Sequence, residues 1–68
     1  MELRTKFGQN VRRVRLARRM TIEALAQEAG LSYSYLGEIE RGLRNPTLAV
    51  IEGLAASLAV EPHSLLEP

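Results

Sequence analysis

Cysteine and tryptophan are both absent from this 68-residue chain, and only Phe7, Tyr33 and Tyr35 are aromatic. Without cysteine, neither a disulfide nor a thiolate metal site is available, which suits a reducing compartment. A sheet normally wants more aromatic and β-branched residues, whereas a core of Leu, Ile, Val and Ala suits packed helices. No apolar run approaches the roughly 20 residues of a membrane span, and the N-terminal stretch lacks a signal-peptide core. A cytoplasmic protein with no membrane partner is therefore expected. His63 is the single histidine and stands beside Pro62, where an exposed polar role suits it. Paired carboxylates, metal-ligand spacings and phosphate-cradling glycine loops are all missing. That leaves no candidate catalytic residue, metal, cofactor or small-molecule ligand, and no enzyme is expected.

Hydrophobic residues make up 46% of the chain, enough for one economical core and one domain over residues 1–68. A chain of this size hides only about 60% of its unfolded surface. The net charge of +1 conceals a polarity. Residues 1–22 hold seven Lys or Arg against Glu2 alone, a net +6; residues 23–44 are at −2 and residues 45–68 at −3. A basic end opposite an acidic end is what a domain docking one face on phosphates would carry. A solvated, Arg-rich helix face would give the same count.

Periodicity and punctuation predict five helical segments and no strand, an all-α fold. The first runs from about Leu3 to Arg18, with Leu3, Phe7, Val11 and Val14 as one apolar stripe. Gly8 interrupts it at a cost of about 1 kcal/mol, which a close helix approach would explain. Thr21 caps a second helix from Ile22 to about Ala29, lined by Leu25, Ala26 and Ala29, and Gly30 ends it. Leu31 is an apolar plug, and Ser32 caps a third helix from Tyr33 to about Arg41 with Leu36 and Ile39 inside. Gly42 stops that helix, and Pro46 keeps residues 43–46 as a loop. Thr47 caps a fourth helix with Ile51, Leu54, Ala55 and Leu58 in a buried stripe. Pro62 opens a last short helix with Leu65 and Leu66 inside.

Two short helices joined by a brief turn containing glycine are the elements of a helix-turn-helix, here about residues 21–42. Steeply crossing helices need a small residue at closest approach, which Ala26 supplies; the turn needs positive φ, which Gly30 tolerates. The third helix must bury one narrow stripe and leave its other side free, and Leu36 and Ile39 anchor it so. Phosphate contacts should then come from element ends. Thr21 and Ile22 open the second helix with free N–H groups, and Arg19, Arg44 and Asn45 flank the pair as clamps. Arg12, Arg13 and Arg18 add to the general field.

From Thr21 through Ser32, then Tyr35 to Gly42 and Arg44 to Leu48, the chain resembles the phage-repressor/Cro-like (XRE-type) helix-turn-helix family. The resemblance spans about Phe7 to Leu66. It implies a five-helix, lambda-repressor-like domain that binds double-stranded operator DNA, usually as a homodimer, and regulates transcription. It also implies an ion pair between Arg15 and Glu40, locking the third helix to the first. The base-reading positions it implies are Ser32, Tyr33, Ser34 and Glu38, with Gly37 and Tyr35 close to the DNA backbone. Ser34 is the foremost base-edge candidate. Glu38 either accepts from cytosine N4 or pairs as a solvated charge with Arg41 or Arg44. Tyr35 either touches DNA or covers the core edge.

This chain departs from the family in three places. Ile22 stands where the family often has Gln, and the family commonly has Gly near Arg19 and at Ala59, where helices end and this chain lacks it. The third helix also lacks Arg, Gln and Asn on its reading face, so recognition would lean on DNA shape, on Arg44 or on half-site spacing. Val60, Leu65 and Leu66 are the expected dimer contacts, within a dimerisation segment of about residues 58–68, unless they merely cap the core. A two-fold dimer would set its reading helices about 34 Å apart. With no sensor domain in 68 residues, the chain resembles stand-alone regulators such as restriction-modification controllers and phage or plasmid regulators. The rival expectation is an antitoxin-like module that uses the same fold to bind a protein.

Overall fold

The computed structural model describes residues 2–68. Its elements are α1 (Leu3–Ala17), α2 (Ile22–Ala29), α3 (Tyr33–Glu40), α4 (Leu48–Leu58) and a 3-10 helix (Pro62–Leu66). All regular secondary structure among the described residues is thus helical, with no strand. The last expected helix is a 3-10 helix rather than an α-helix: Pro62 sits in its first turn, and only five residues separate Glu61 from Glu67.

Helix starts follow the hydroxyl residues. Thr21, Ser32 and Thr47 are extended, and each side-chain oxygen accepts from the backbone N–H three residues on, at 3.0, 3.0 and 3.1 Å. Helix ends share one design. After α1, α2, α3 and α4 come Arg19, Gly30, Gly42 and Ala59, all with φ between 57° and 76°. In each case the next residue's N–H reaches back five positions: Met20 to Arg15, Leu31 to Ala26, Leu43 to Glu38 and Val60 to Ala55. These are Schellman closures, in which an apolar residue after the left-handed one folds back on the helix. Met20, Leu31 and Val60 do so and pack on the core, whereas Leu43 remains 61% exposed.

The core comprises Phe7, Val11, Leu25, Ala26, Leu36, Ile39, Leu54, Ala55, Leu58 and Leu65. α1 packs on α3 and on the 3-10 helix, while α2 packs on α3 and α4. The apolar stripe of α1 is shorter than its spacing suggests, because Leu3 is exposed and Val14 only half-buried. Gly8 explains how α1 and α3 come so close. A Cβ built there would lie 2.2 Å from the Ile39 carbonyl oxygen, so only glycine lets the backbones meet.

One polar side chain joins the core from a position not expected from the sequence. Asn10 is buried, and its Nδ2 donates to the carbonyls of Leu65 (2.9 Å) and Glu67 (2.7 Å). Its Oδ1 accepts from Arg13 at 3.2 Å. Asn10 thereby fastens the C-terminal turn to α1. It follows Phe7 by three residues and Val14 follows it by four, so it lies within the apolar stripe; that position was the signal.

Candidate nucleic-acid interface

α2 and α3 are joined by Gly30, Leu31 and Ser32, and Gly30 makes the corner at φ +73°. α3 is held on its inner side by Leu36 and Ile39, both fully buried. The Arg15–Glu40 pair holds its far end. Arg15 Nε and Nη2 donate to the two Glu40 carboxylate oxygens at 2.7 and 3.0 Å, and both side chains are nearly hidden. Arg15 Nη1 also donates to the Met20 carbonyl at 2.8 Å. One guanidinium therefore ties together α1, the turn before α2 and the end of α3. The hydrogen bond to Glu40 raises the Arg15 pKa, burial opposes it, and the neighbouring negative charge adds to the rise.

With its inner side and its end fixed, α3 turns its first residues outward. Ser32, Tyr33 and Ser34 are exposed, Tyr33 at 57%. The Ser32 oxygen is occupied as the cap of α3, which leaves its O–H to donate outward. Tyr35 is half-buried, with the Arg44 guanidinium carbon 5.1 Å from its ring centroid. Glu38 accepts from Arg44 Nε at 2.8 Å, so of the two roles open to it the free protein adopts the ion pair, and with Arg44 rather than Arg41. Thr21 is exposed while Ile22 is half-buried on the core, so Ile22 offers its N–H and not its side chain. Arg19, Arg44 and Asn45 are all exposed.

Two expected site residues are corrected. Gly37 is buried, and the Arg41 Nη1 lies 3.6 Å from where a Cβ would be, so that stretch of backbone is covered rather than open to a ligand. Leu65 is fully buried by α1 and α4 and is lost as a contact between copies. A hydrophobic residue after Pro62 has to close the monomer's own core before it can serve a partner. Val60 and Leu66 are half-buried and keep some surface. Leu66 lines two shallow surface grooves together with Leu3, one of them running past Pro46, Leu48 and Ile51. Among the described residues no cluster of His, Asp or Glu could hold a metal ion, and no helix is long and apolar enough to cross a membrane.

Chemically, the outer side combines small hydroxyls, aromatic rings, an open helix N-terminus and exposed guanidinium groups. These are groups that contact base edges and phosphates. Comparison with known proteins points the same way. The helix-turn-helix family model matches residues 11–65. The control protein C.BamHI of Bacillus amyloliquefaciens is 44% identical over 66 residues, covering 96% of this chain and 82% of that protein. The fold is similar to the restriction-modification controller protein C.AhdI of Aeromonas hydrophila, with a TM-score of 0.88 and 45% identity over 91% of this chain and 94% of that one. It is similar too to SinR, a master regulator for biofilm formation solved in complex with DNA. There the TM-score is 0.85 and the identity 37%, over 90% of this chain and 98% of that one.

Proposed function

The chain belongs to the helix-turn-helix family, a family of DNA-binding transcription regulators and not of enzymes, and from that premise we propose that it is an operator-binding regulator of the restriction-modification controller kind. One observation carries the reading. The outer side of α3 is exposed at Ser32, Tyr33 and Ser34, while Leu36, Ile39 and the Arg15–Glu40 pair hold the helix from behind. A short rod so braced enters a major groove without reorganisation. Ser34 and Tyr33 meet base edges, with Ser32 beside them. Arg19, the N–H groups at Thr21 and Ile22, Tyr35, Arg44 and Asn45 meet the backbone. The controller reading draws on the similarity to C.BamHI and C.AhdI, which extends over most of both proteins.

A homodimer completes the proposal, because one domain of this size makes few contacts. Leu66 is the contact we place nearest the two-fold axis, with Val60 beside it. Operator half-sites would then repeat at about one turn of DNA. A cytoplasmic location goes with this role.

Selection of bound sequences from a random duplex pool tests the reading. Ser34→Ala is expected to change preference at particular base pairs, and Arg44→Ala to weaken all sequences alike. Binding that does not fall with rising salt, or no duplex binding at all, would instead favour a module that recognises protein.

A further inference from the structure

Two groups on the contact side of α3 are joined to each other in the free protein. Glu38 Oε1 accepts from Arg44 Nε at 2.8 Å, and the same guanidinium lies over the Tyr35 ring. Arg44 therefore has its charge compensated at its edge and one flat face covered. The other acid of α3, Glu40, is buried against Arg15, so Glu38 is the carboxylate that α3 keeps at its surface. Its pair with Arg44 is open to water, the two side chains being 53% and 37% exposed for Arg44 and Glu38. Such a pair adds little to folding, and its consequence lies in binding.

We propose that Glu38 is a specificity-determining counter-charge that holds Arg44 in the free protein and must release it to DNA. The inference rests on the DNA-binding reading above. A phosphate and the Glu38 carboxylate compete for one guanidinium. Once Arg44 turns to phosphate, the carboxylate faces the duplex without its partner. In the major groove only the amino groups of cytosine and adenine donate; N7, O6 and O4 are acceptors. Against acceptors the carboxylate loses water and gains nothing, whereas against an amino group it regains a hydrogen bond. The pair thus penalises wrong sequences more than right ones, which is discrimination by repulsion. That suits a reading helix with no Arg, Lys, Gln or Asn in Tyr33–Glu40.

The test compares wild type, Glu38→Gln, Arg44→Ala and the double variant, by fluorescence anisotropy at one moderate salt concentration. Two duplexes are used, one of random sequence and one selected by the wild type. Glu38→Gln should tighten the random duplex about 3-fold for each bound subunit, the scale of one exposed ion pair. It should affect the selected duplex less, so the ratio between the two narrows. In the Arg44→Ala background the same change should tighten the random duplex clearly less, because only the carboxylate's own loss of water is then relieved. Unchanged or weaker random-duplex binding would overturn the proposal. So would equal tightening without Arg44, which signals plain repulsion, or a loss confined to the selected duplex, which signals a base contact alone. Failure of the wild type to bind either duplex overturns the DNA-binding reading together with this one. Wild-type binding without a Glu38 effect overturns only the counter-charge. Thermal melts of the four proteins check that all remain folded.

Discussion

A single buried guanidinium determines how α3 is presented. Arg15 meets both Glu40 oxygens and the Met20 carbonyl, and neither charged side chain has much access to water. Removing one partner strands the other. Glu40→Ala should therefore cost about 3 kcal/mol, and with it a fall in Tm on the order of 10–20 °C for a domain this small. Circular dichroism melts measure both. The sign of the pH dependence follows from the raised Arg15 pKa. A group whose folded pKa exceeds its unfolded one contributes fully below the unfolded value and loses the contribution as pH rises through the folded one. For an arginine that window lies far above neutrality, so this contribution should stay constant between about pH 6 and 10. Gly8 is the other residue with no substitute. Gly8→Ala would drive a methyl into the Ile39 carbonyl, and a loss of about 3 kcal/mol is expected, read from urea unfolding. The need for glycine was readable as an oddity in the periodic pattern of α1, but its cause lay in α3, more than thirty residues away, where no local pattern points.

Among the elements, the four α-helices close in one way but with different residues at the left-handed position. Gly30 and Gly42 adopt it freely, whereas Arg19 and Ala59 adopt it against the preference of a side chain. Ala59→Gly should stabilise the protein by about 1 kcal/mol and raise Tm by roughly 4–8 °C. Arg19→Gly should stabilise it similarly while weakening DNA binding, since a basic group at the mouth of α2 is lost. A calorimeter and a binding assay would then move in opposite directions, which separates strain from function at that position. The absence of glycine from these two turns was visible in the residue order; that both turns nevertheless keep the glycine conformation was not. Helix starts were more legible. Thr21, Ser32 and Thr47 cap helices because a hydroxyl one residue before an apolar repeat has a local N–H to satisfy, whatever surrounds it.

Across the whole molecule, charge and apolar surface are unevenly placed. Seven of the nine basic residues fall in residues 1–22, while residues 45–68 hold three acids and no Lys or Arg. Affinity for duplex should consequently fall steeply, by at least about tenfold between 50 and 200 mM salt. The apolar counterpart is a surface where Leu66 meets Leu3 along one groove and Leu48 and Ile51 along another, with Leu48 78% exposed. Leu66→Asp is expected to leave a folded monomer in sedimentation equilibrium, with weaker operator binding. A wild-type protein that is monomeric at high micromolar concentration would dispose of the two-fold arrangement.

Residue order alone determined the helical class, the helix starts, the glycine corner of the helix-turn-helix and the inward stripe of α3. Each is governed by forces that act within one or two turns of chain: capping, backbone freedom and amphipathic repeat. Tertiary structure decided matters in which distant residues compete for one place. It gave Leu65 to the monomer's core, covered Gly37, drew Asn10 to the C-terminal turn and joined Glu38 to Arg44. Burial and pairing depend on what arrives opposite a residue, and spacing along the chain carries no record of that.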